Sequence, residues 1–411
     1  MDFFLYIDPG TGSMLFSILV GAAATLFFLG KAAWLKIKIF FSGKKDGLVV
    51  DSSYRKYVIY CEDKRYWNTF KPILDEAEKR KTEVTYFVAT DKDPVFEQDY
   101  KFIKIEVIGE GNAAFAKLNM LSAGVVLMTT LGLQVYQLKR SKNVKHYAHI
   151  LHAASDATMY RLFGIDYFDS VLLSGDYQKA DIRTLEFQRN LPEKELVTVG
   201  CPYLDVLDSK ISSLSSEENH SFTVLVSPSW GKDALLSRYG EKLLDPLVDS
   251  GMRVIVRPHP QSKISESEVL SKLEKRYENE PNVEWDYNGD NIIAMKKSDI
   301  MISDFSGIIY DYTFLFDKPV MYVNSGLDLR PYDAYDLSEK ENGKNIWQFQ
   351  ALRSFGIELK EEQFSGLAEI IRSASDSKEL ADARKKAKNE AWMNRGKAGK
   401  AVVDFMISKV E

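Results

Sequence analysis

The chain has 411 residues, enough for two domains, or at most three, each able to bury its own core. Its composition, with 45% hydrophobic, 27% charged and 12% aromatic residues, excludes a collagen-like, disulfide-stapled or wholly disordered protein. Fifty-four basic against 59 acidic side chains leave a net charge of -5, which argues against a nucleic-acid binder and requires any anion to be met by local groups.

Residues 14–30, MLFSILVGAAATLFFLG, carry no charge, and as a helix they would reach about 25 Å, enough to span a bilayer with flanking lysines snorkelling. The preceding MDFFLYIDPGTGS is acidic and ends in turn residues, so it lacks the basic start of a signal peptide. Lys31, Lys36, Lys38, Lys44 and Lys45 follow with no acid before Asp46, which predicts a single-pass anchor with the body of the protein in the cytosol. An amphipathic helix lying in the interface is the competing reading.

From residue 47 the pattern alternates. KYVIYC (56–61), VTYFVAT (84–90), FIKIEV (102–107) and AGVVLMTT (123–130) read as strands, with a helix between the first two whose apolar face takes Trp67, Phe70, Leu74 and Ala77. HYAHILHA and FDSVLLSG continue the alternation, and LVTVGCPYLDVL closes this half near residue 208. ISSLSSEENHS reads as a linker. A second run of strands or strand ends follows in FTVLVSPSW, MRVIVRPHP, VEWDY, DIMISDFSG and KPVMYVN. The expectation is two Rossmann-like α/β domains, over 47–210 and 221–380, facing a cleft, with helices over 381–411 packing back on the first.

Cys61 and Cys201 have neither a CxxC partner nor a histidine at metal-ligand spacing, and read as reduced thiols. In open parallel sheets, ligands collect at the carboxyl ends of strands, where helix N-termini offer unpaired N–H groups to anions. Four positions there stand out. After the strand VIV, Arg257-Pro258-His259-Pro260 is a stiff loop carrying a fork-shaped cation and an imidazole. In ISDFSGIIYDYTFLF (302–316) a helix should begin near Phe305, capped by Ser303 or Asp304, leaving Ser306 and Gly307 in its first turn as a phosphate cradle. His152 ends the stretch HYAHILHA and suits a general base. His146, His149 and His152 are three apart, but on a strand they alternate faces, so no metal is expected there. Gly109 and Gly111, in GEGNAA, read as a tight turn lining the cleft. They lack the ribose-binding acid that a dinucleotide site needs at the end of the next strand.

VGCPYLDVL, VLVSPSWGKD, RPHP and ISDFSGIIYDYTFLFDKPVMYV, in this order between Tyr147 and Val323, resemble the CDP-glycerol glycerophosphotransferase family, the teichoic-acid primases and polymerases of bacterial envelopes. The resemblance implies a GT-B fold with the donor nucleotide held mainly by the C-terminal domain. It implies a CDP-alcohol donor, a lipid-linked or polymer acceptor, no cofactor, and work at the cytoplasmic face of the membrane. It places His152 and His259 at catalytic positions, and Arg257, Ser303, Asp304, Ser306 and Gly307 on the donor, together with Ser227, Trp230, Gly231 and Lys232 of the SPSWGK segment. The chain departs from the family where His152-Ala153-Ala154 replaces His-Gly-Thr, where Lys232 follows Trp230-Gly231 in a motif that commonly carries Arg after Trp, and where DLRPYDAYD (328–336) lacks an Arg-Gly pair. A GT-B glycosyltransferase using a nucleotide sugar, and a non-catalytic membrane-anchored scaffold, are the alternatives.

Overall fold

The computed structural model describes residue 30 and residues 53–214, 221–324, 326–338, 346–375 and 377–410. The expected membrane helix, apart from its last residue, lies outside the described residues. Among the described residues no helix is long and apolar enough to cross a membrane.

Seven parallel strands build the first sheet: β1 (Arg55–Cys61), β2 (Val84–Val88), β3 (Ile103–Val107), β4 (Ala123–Met128), β5 (Val144–Ile150), β6 (Ser170–Leu173) and β7 (Glu195–Thr198). Six more build the second: β8 (Thr223–Val226), β9 (Arg253–Val256), β10 (Val283–Trp285), β11 (Ile300–Ser303), β12 (Val320–Val323) and β13 (Gly356–Leu359). Helices cover both faces, so strands such as β2, β4, β8, β11 and β12 are buried at every position, which is why they read as unbroken apolar runs rather than alternating ones. Strand β13, in FGIEL, escaped the sequence reading because it is four residues long and follows directly on the helix Trp347–Phe355. The supposed linker also starts late, since the helix Pro202–Ser213 runs through its first three residues.

The sheet orders are β3-β2-β1-β4-β5-β6-β7 and β10-β9-β8-β11-β12-β13. In each, the chain winds outward from the first strand and then crosses to its other side. The two reversal points, between β1 and β4 and between β8 and β11, are where loops diverge and leave a crevice at the carboxyl ends.

The last helix, Ala398–Ser408, belongs to the first lobe. Its Val402, Val403, Phe405 and Met406 share a core with Phe70, Ile73 and Leu74 of the helix Trp67–Lys79. The preceding helix, Lys378–Ala391, ends in a second cluster in which Ala391 and Trp392 meet Ala154, Cys201 and Leu204 of the first lobe and Tyr310, Tyr312 and Phe314 of the second. The chain thus crosses back and ties the lobes with apolar surface. Arg189 adds a polar tie, pairing with Asp166 at 2.8 Å, Asp333 at 2.7 Å and Asp336 at 2.6 Å, so that two acids of the DLRPYDAYD stretch are held against the first lobe.

Where the last helix crosses Pro72, only a glycine fits. A Cβ on Gly399 would stand 2.4 Å from the Pro72 carbonyl oxygen, a backbone atom that cannot swing away. Gly399→Ala is expected to destabilise the protein by about 1–3 kcal/mol through overpacking, read as a lower urea midpoint. An unchanged midpoint would show that the two helices are not packed this closely.

Candidate active site

A cavity of about 480 Å³ lies at the carboxyl ends of β8, β9 and β11, at the second sheet's reversal point, and Ser227, Arg257, His259, Asn291 and Ser306 line it. Asn68 reaches it from the first lobe, and Tyr203 and Lys210 reach it from the helix that joins the lobes. Lys210 pairs with Asp290 at the cavity wall.

The loops that form these walls are fixed by one carboxylate. Asp304 is buried, and its Oδ1 accepts hydrogen bonds from the backbone N–H groups of Ser229 (2.9 Å) and Ser306 (3.2 Å), while Oδ2 accepts from that of Leu235 (2.9 Å). Burial raises its pKa, and the three backbone donors oppose the rise. Next to it the Ser303 hydroxyl donates to the Ser227 carbonyl at 2.6 Å, tying the ends of β11 and β8. Neither Ser303 nor Asp304, which the sequence placed on the donor phosphate, lines the cavity: both turn inward to satisfy backbone groups. The helix onset is corrected as well. Asp304 spends its carboxylate on the turn at Ser306, which delays the helix to Ile308–Phe316 with Gly307 as its cap. Gly307 has ordinary helical backbone angles, and a Cβ there would meet nothing within 4 Å, so neither strain nor packing calls for glycine.

Arg257 lines the cavity with its charge already matched. One terminal nitrogen meets Asp286 at 2.5 Å and the other donates to the Asn288 carbonyl at 2.7 Å. It therefore pins the loop after β10 to the end of β9. His259 is held by its Nδ1, which accepts the N–H of Gln261 at 3.1 Å. With that lone pair occupied, the neutral ring carries its proton on Nε2. Burial lowers its pKa, Arg65 lowers it further, and Glu266 and Asp304 partly oppose them.

His152 follows β5 in the first lobe. Its ring stacks on Tyr160, with centroids 5.7 Å apart, lies 5.0 Å from Tyr66, and has Nδ1 3.2 Å from the Tyr160 hydroxyl. Burial first, and Arg65 second, push its pKa down to about 4, so the imidazole is neutral at pH 7. One guanidinium therefore perturbs both rings. Arg65 sits on the short turn Lys64–Tyr66 directly after β1, exposed and 3.1 Å from Asp63. The other two histidines do diverge: His146 faces Phe405, and His149 is buried against Tyr160 and Phe168.

Trp230 is half exposed, with its ring centroid 6.2 Å from that of His259. Gly231 has φ +102° and supplies the turn that only glycine takes comfortably, while Lys232 is exposed. None of these three lines the cavity. Gly109 (φ +90°) and Gly111 (φ +51°) do make a turn, but it follows β3, the outermost strand on its side of the sheet. Two strands separate it from β4 and the reversal point, so it is not a wall of this cavity.

A family model described as CDP-Glycerol:Poly(glycerophosphate) glycerophosphotransferase matches residues 49–335. The chain belongs to this family. It is thus a glycerophosphotransferase-family enzyme, and the family's name gives CDP-glycerol as donor and poly(glycerophosphate) as acceptor. Solved structures of the wall teichoic acid polymerase TagF share its fold. One is 16% identical, with a TM-score of 0.56 over 94% of this chain and 96% of that one. Another, described as TagF with CDPG after a soak, is 16% identical with a TM-score of 0.54 over 95% and 98%. A putative UDP-N-acetylglucosamine 2-epimerase from Listeria monocytogenes is 12% identical, with a TM-score of 0.54 over 87% and 96%. At these identities the likeness is one of fold alone. No curated protein matches the sequence.

Several residues that line the cavity or lie close behind its walls escaped the sequence reading. Arg65 and Asn68 follow β1 at the first reversal point, so the strand-end rule would have reached them had it been applied to that strand. Tyr203 donates its hydroxyl to Asp311 at 3.0 Å, and burial pushes the Asp311 carboxyl up to about 7. A single acid within the apolar helix IIYDYTFLF was the available signal.

Asp304→Ala should cost roughly 3 kcal/mol or more in urea unfolding, since buried N–H groups left unpaired each cost about 1–3 kcal/mol. Ser306→Ala should leave stability unchanged. Equal stability of both variants would show that Asp304 does not organise these loops. Asp311 gives a pH signature. Its folded pKa lies above the ordinary 3.8, so its contribution to stability is present at low pH and is lost as pH rises from about 4 to about 7. The stability of Asp311→Asn relative to wild type should therefore grow across that window and level off above pH 7. A difference independent of pH would contradict the raised carboxyl.

Proposed function

We propose that this enzyme transfers glycerol phosphate, or a similar polyol phosphate, from a CDP-linked donor to a hydroxyl of a membrane-associated envelope polymer or lipid-linked acceptor, releasing CMP. The observation that carries this reading is the cavity at the second sheet's reversal point, which His259 and Ser306 line; His152, on the first lobe, lies outside its lining and shares with His259 the field of Arg65. An acceptor hydroxyl needs a base, and His152 is unprotonated at pH 7. For its Nε2 to take the proton, Nδ1 must carry one and donate it to the Tyr160 oxygen, a geometry that the 3.2 Å contact supports. The acceptor oxygen then bonds to the β-phosphorus as the bond from that phosphorus to the bridging oxygen breaks, and CMP leaves.

His259 acts differently. Its Nδ1 lone pair is held by Gln261, so it serves as a fixed Nε2–H donor to a phosphoryl oxygen, with Ser306 as a second hydroxyl donor. Arg257, matched by Asp286, shapes the cavity and leaves little net charge to offer.

The uncharged run at 14–30 and the lysines behind it support a single-pass anchor that keeps the lobes on the cytosolic side of the membrane, beside a lipid-linked acceptor.

His152→Ala and His259→Ala should each lower CMP release from CDP-glycerol by about 10²-fold or more, the usual share of a positioned proton-transfer or donor group. Release of CDP in place of CMP, or near-wild-type turnover by both variants, would reject the assignment.

A further inference from the structure

A second groove, of about 780 Å³, lies at the other end of the first lobe, where β1, β2 and β3 begin. At about 3.3 Å per residue, the seven residues of β1 put it roughly 20 Å from the carboxyl ends, too far to take part in donor binding. Five cations line it, Arg55, Lys56, Lys81, Lys101 and Lys104, against one acid, Glu83. Glu106 lies alongside and is shared by Arg55 at 3.4 Å and Lys104 at 2.8 Å, while Glu78 is occupied by the backbone N–H groups of Lys101 and Phe102. The surface continues through Lys145, whose ammonium stands over the ring of half-exposed Tyr54, to exposed Lys142. A chain of net charge -5 therefore gathers positive charge at one pole.

That pole is also where the preceding chain enters. Ser53 lines the groove, and before it the sequence carries Lys31, Lys36, Lys38, Lys44 and Lys45 behind the uncharged run at 14–30. We propose that this basic pole docks on the anionic headgroups of the bilayer, fixing the first lobe on the membrane surface. The inference rests on the anchor proposed above. Lysines contribute about 1 kcal/mol each within a Debye length of an anionic leaflet, so several acting together hold one face down while each alone does little. An exposed tyrosine among them suits the interface, where an amphipathic ring is at home. The cleft then opens away from the membrane, within reach of an acceptor chain that extends past the lobe.

Acetylation footprinting of the full chain in phosphatidylglycerol-containing vesicles and in pure phosphatidylcholine vesicles tests this. Lys56, Lys81, Lys101, Lys142 and Lys145 should label roughly fivefold more slowly in the anionic vesicles, the factor that about 1 kcal/mol gives, and the protection should vanish at high salt. The triple variant K81E/K101E/K104E, changed only at exposed positions, should lose the protection of Lys56, Lys142 and Lys145 while keeping its thermal unfolding temperature. Equal labelling in both vesicles, with the chain resisting alkaline carbonate extraction, overturns the docking and leaves the anchor standing. Extraction by carbonate overturns the anchor and the docking with it. Protection by soluble poly(glycerophosphate) in phosphatidylcholine vesicles would show that the groove takes polymer, and would also overturn the proposal.

Discussion

The candidate site depends on a carboxylate that does not itself line the cavity. Asp304 sits at the end of β11, with its two oxygens spent on the backbone N–H groups of Ser229, Ser306 and Leu235. A buried charge is tolerable only when hydrogen-bonded, and here the bonds reach both sides of the cavity. They fix the loop after β8 and the turn before the helix Ile308–Phe316 in one arrangement. Arg257 and Asp286 do the same for the ends of β9 and β10. The polar groups that face the cavity, Ser227, His259 and Ser306, are then carried on a frame whose charges are already matched.

Such a frame suits a diphosphate ligand. A cavity lined by uncompensated cations would hold any polyanion, whereas one built from hydroxyls, backbone N–H groups and a neutral imidazole depends on geometry to recognise its anion. The two histidines illustrate how surroundings divide roles. Both are kept neutral by burial and by Arg65, but Gln261 occupies Nδ1 of His259 and leaves it a donor, while His152 shares its Nδ1 with the Tyr160 hydroxyl, which leaves its other nitrogen able to accept.

Much of this was legible in the chain. Apolar stretches marked twelve of the thirteen strands among the described residues, and the strand-end rule led to His259, Arg257 and Ser306, which line the cavity, and to His152, which does not. The direction in which a side chain turns at a strand end was not legible. Ser303 and Asp304 face inward because backbone groups 69 to 76 residues earlier in the chain, the carbonyl of Ser227 and the N–H groups of Ser229 and Leu235, must be satisfied there, and such pairing has no local signature. Arg257 is matched by an aspartate on a neighbouring strand, again a contact made only by folding. The ring nitrogen that carries the proton on His259 depends on one backbone N–H two residues away, in a turn that the two prolines suggest without specifying. The last helix joins the first lobe through Gly399 and Pro72, a crossing that its own amphipathic pattern left open.

The most direct measurement is a crystal structure of the protein with CDP-glycerol bound. The account predicts the diphosphate at the carboxyl ends of β8, β9 and β11, with phosphoryl oxygens about 2.6–3.2 Å from Nε2 of His259 and from the Ser306 hydroxyl, and Asp304 still turned inward. A diphosphate bound elsewhere, or one gripped by the Asp304 segment after its backbone bonds have broken, would contradict it.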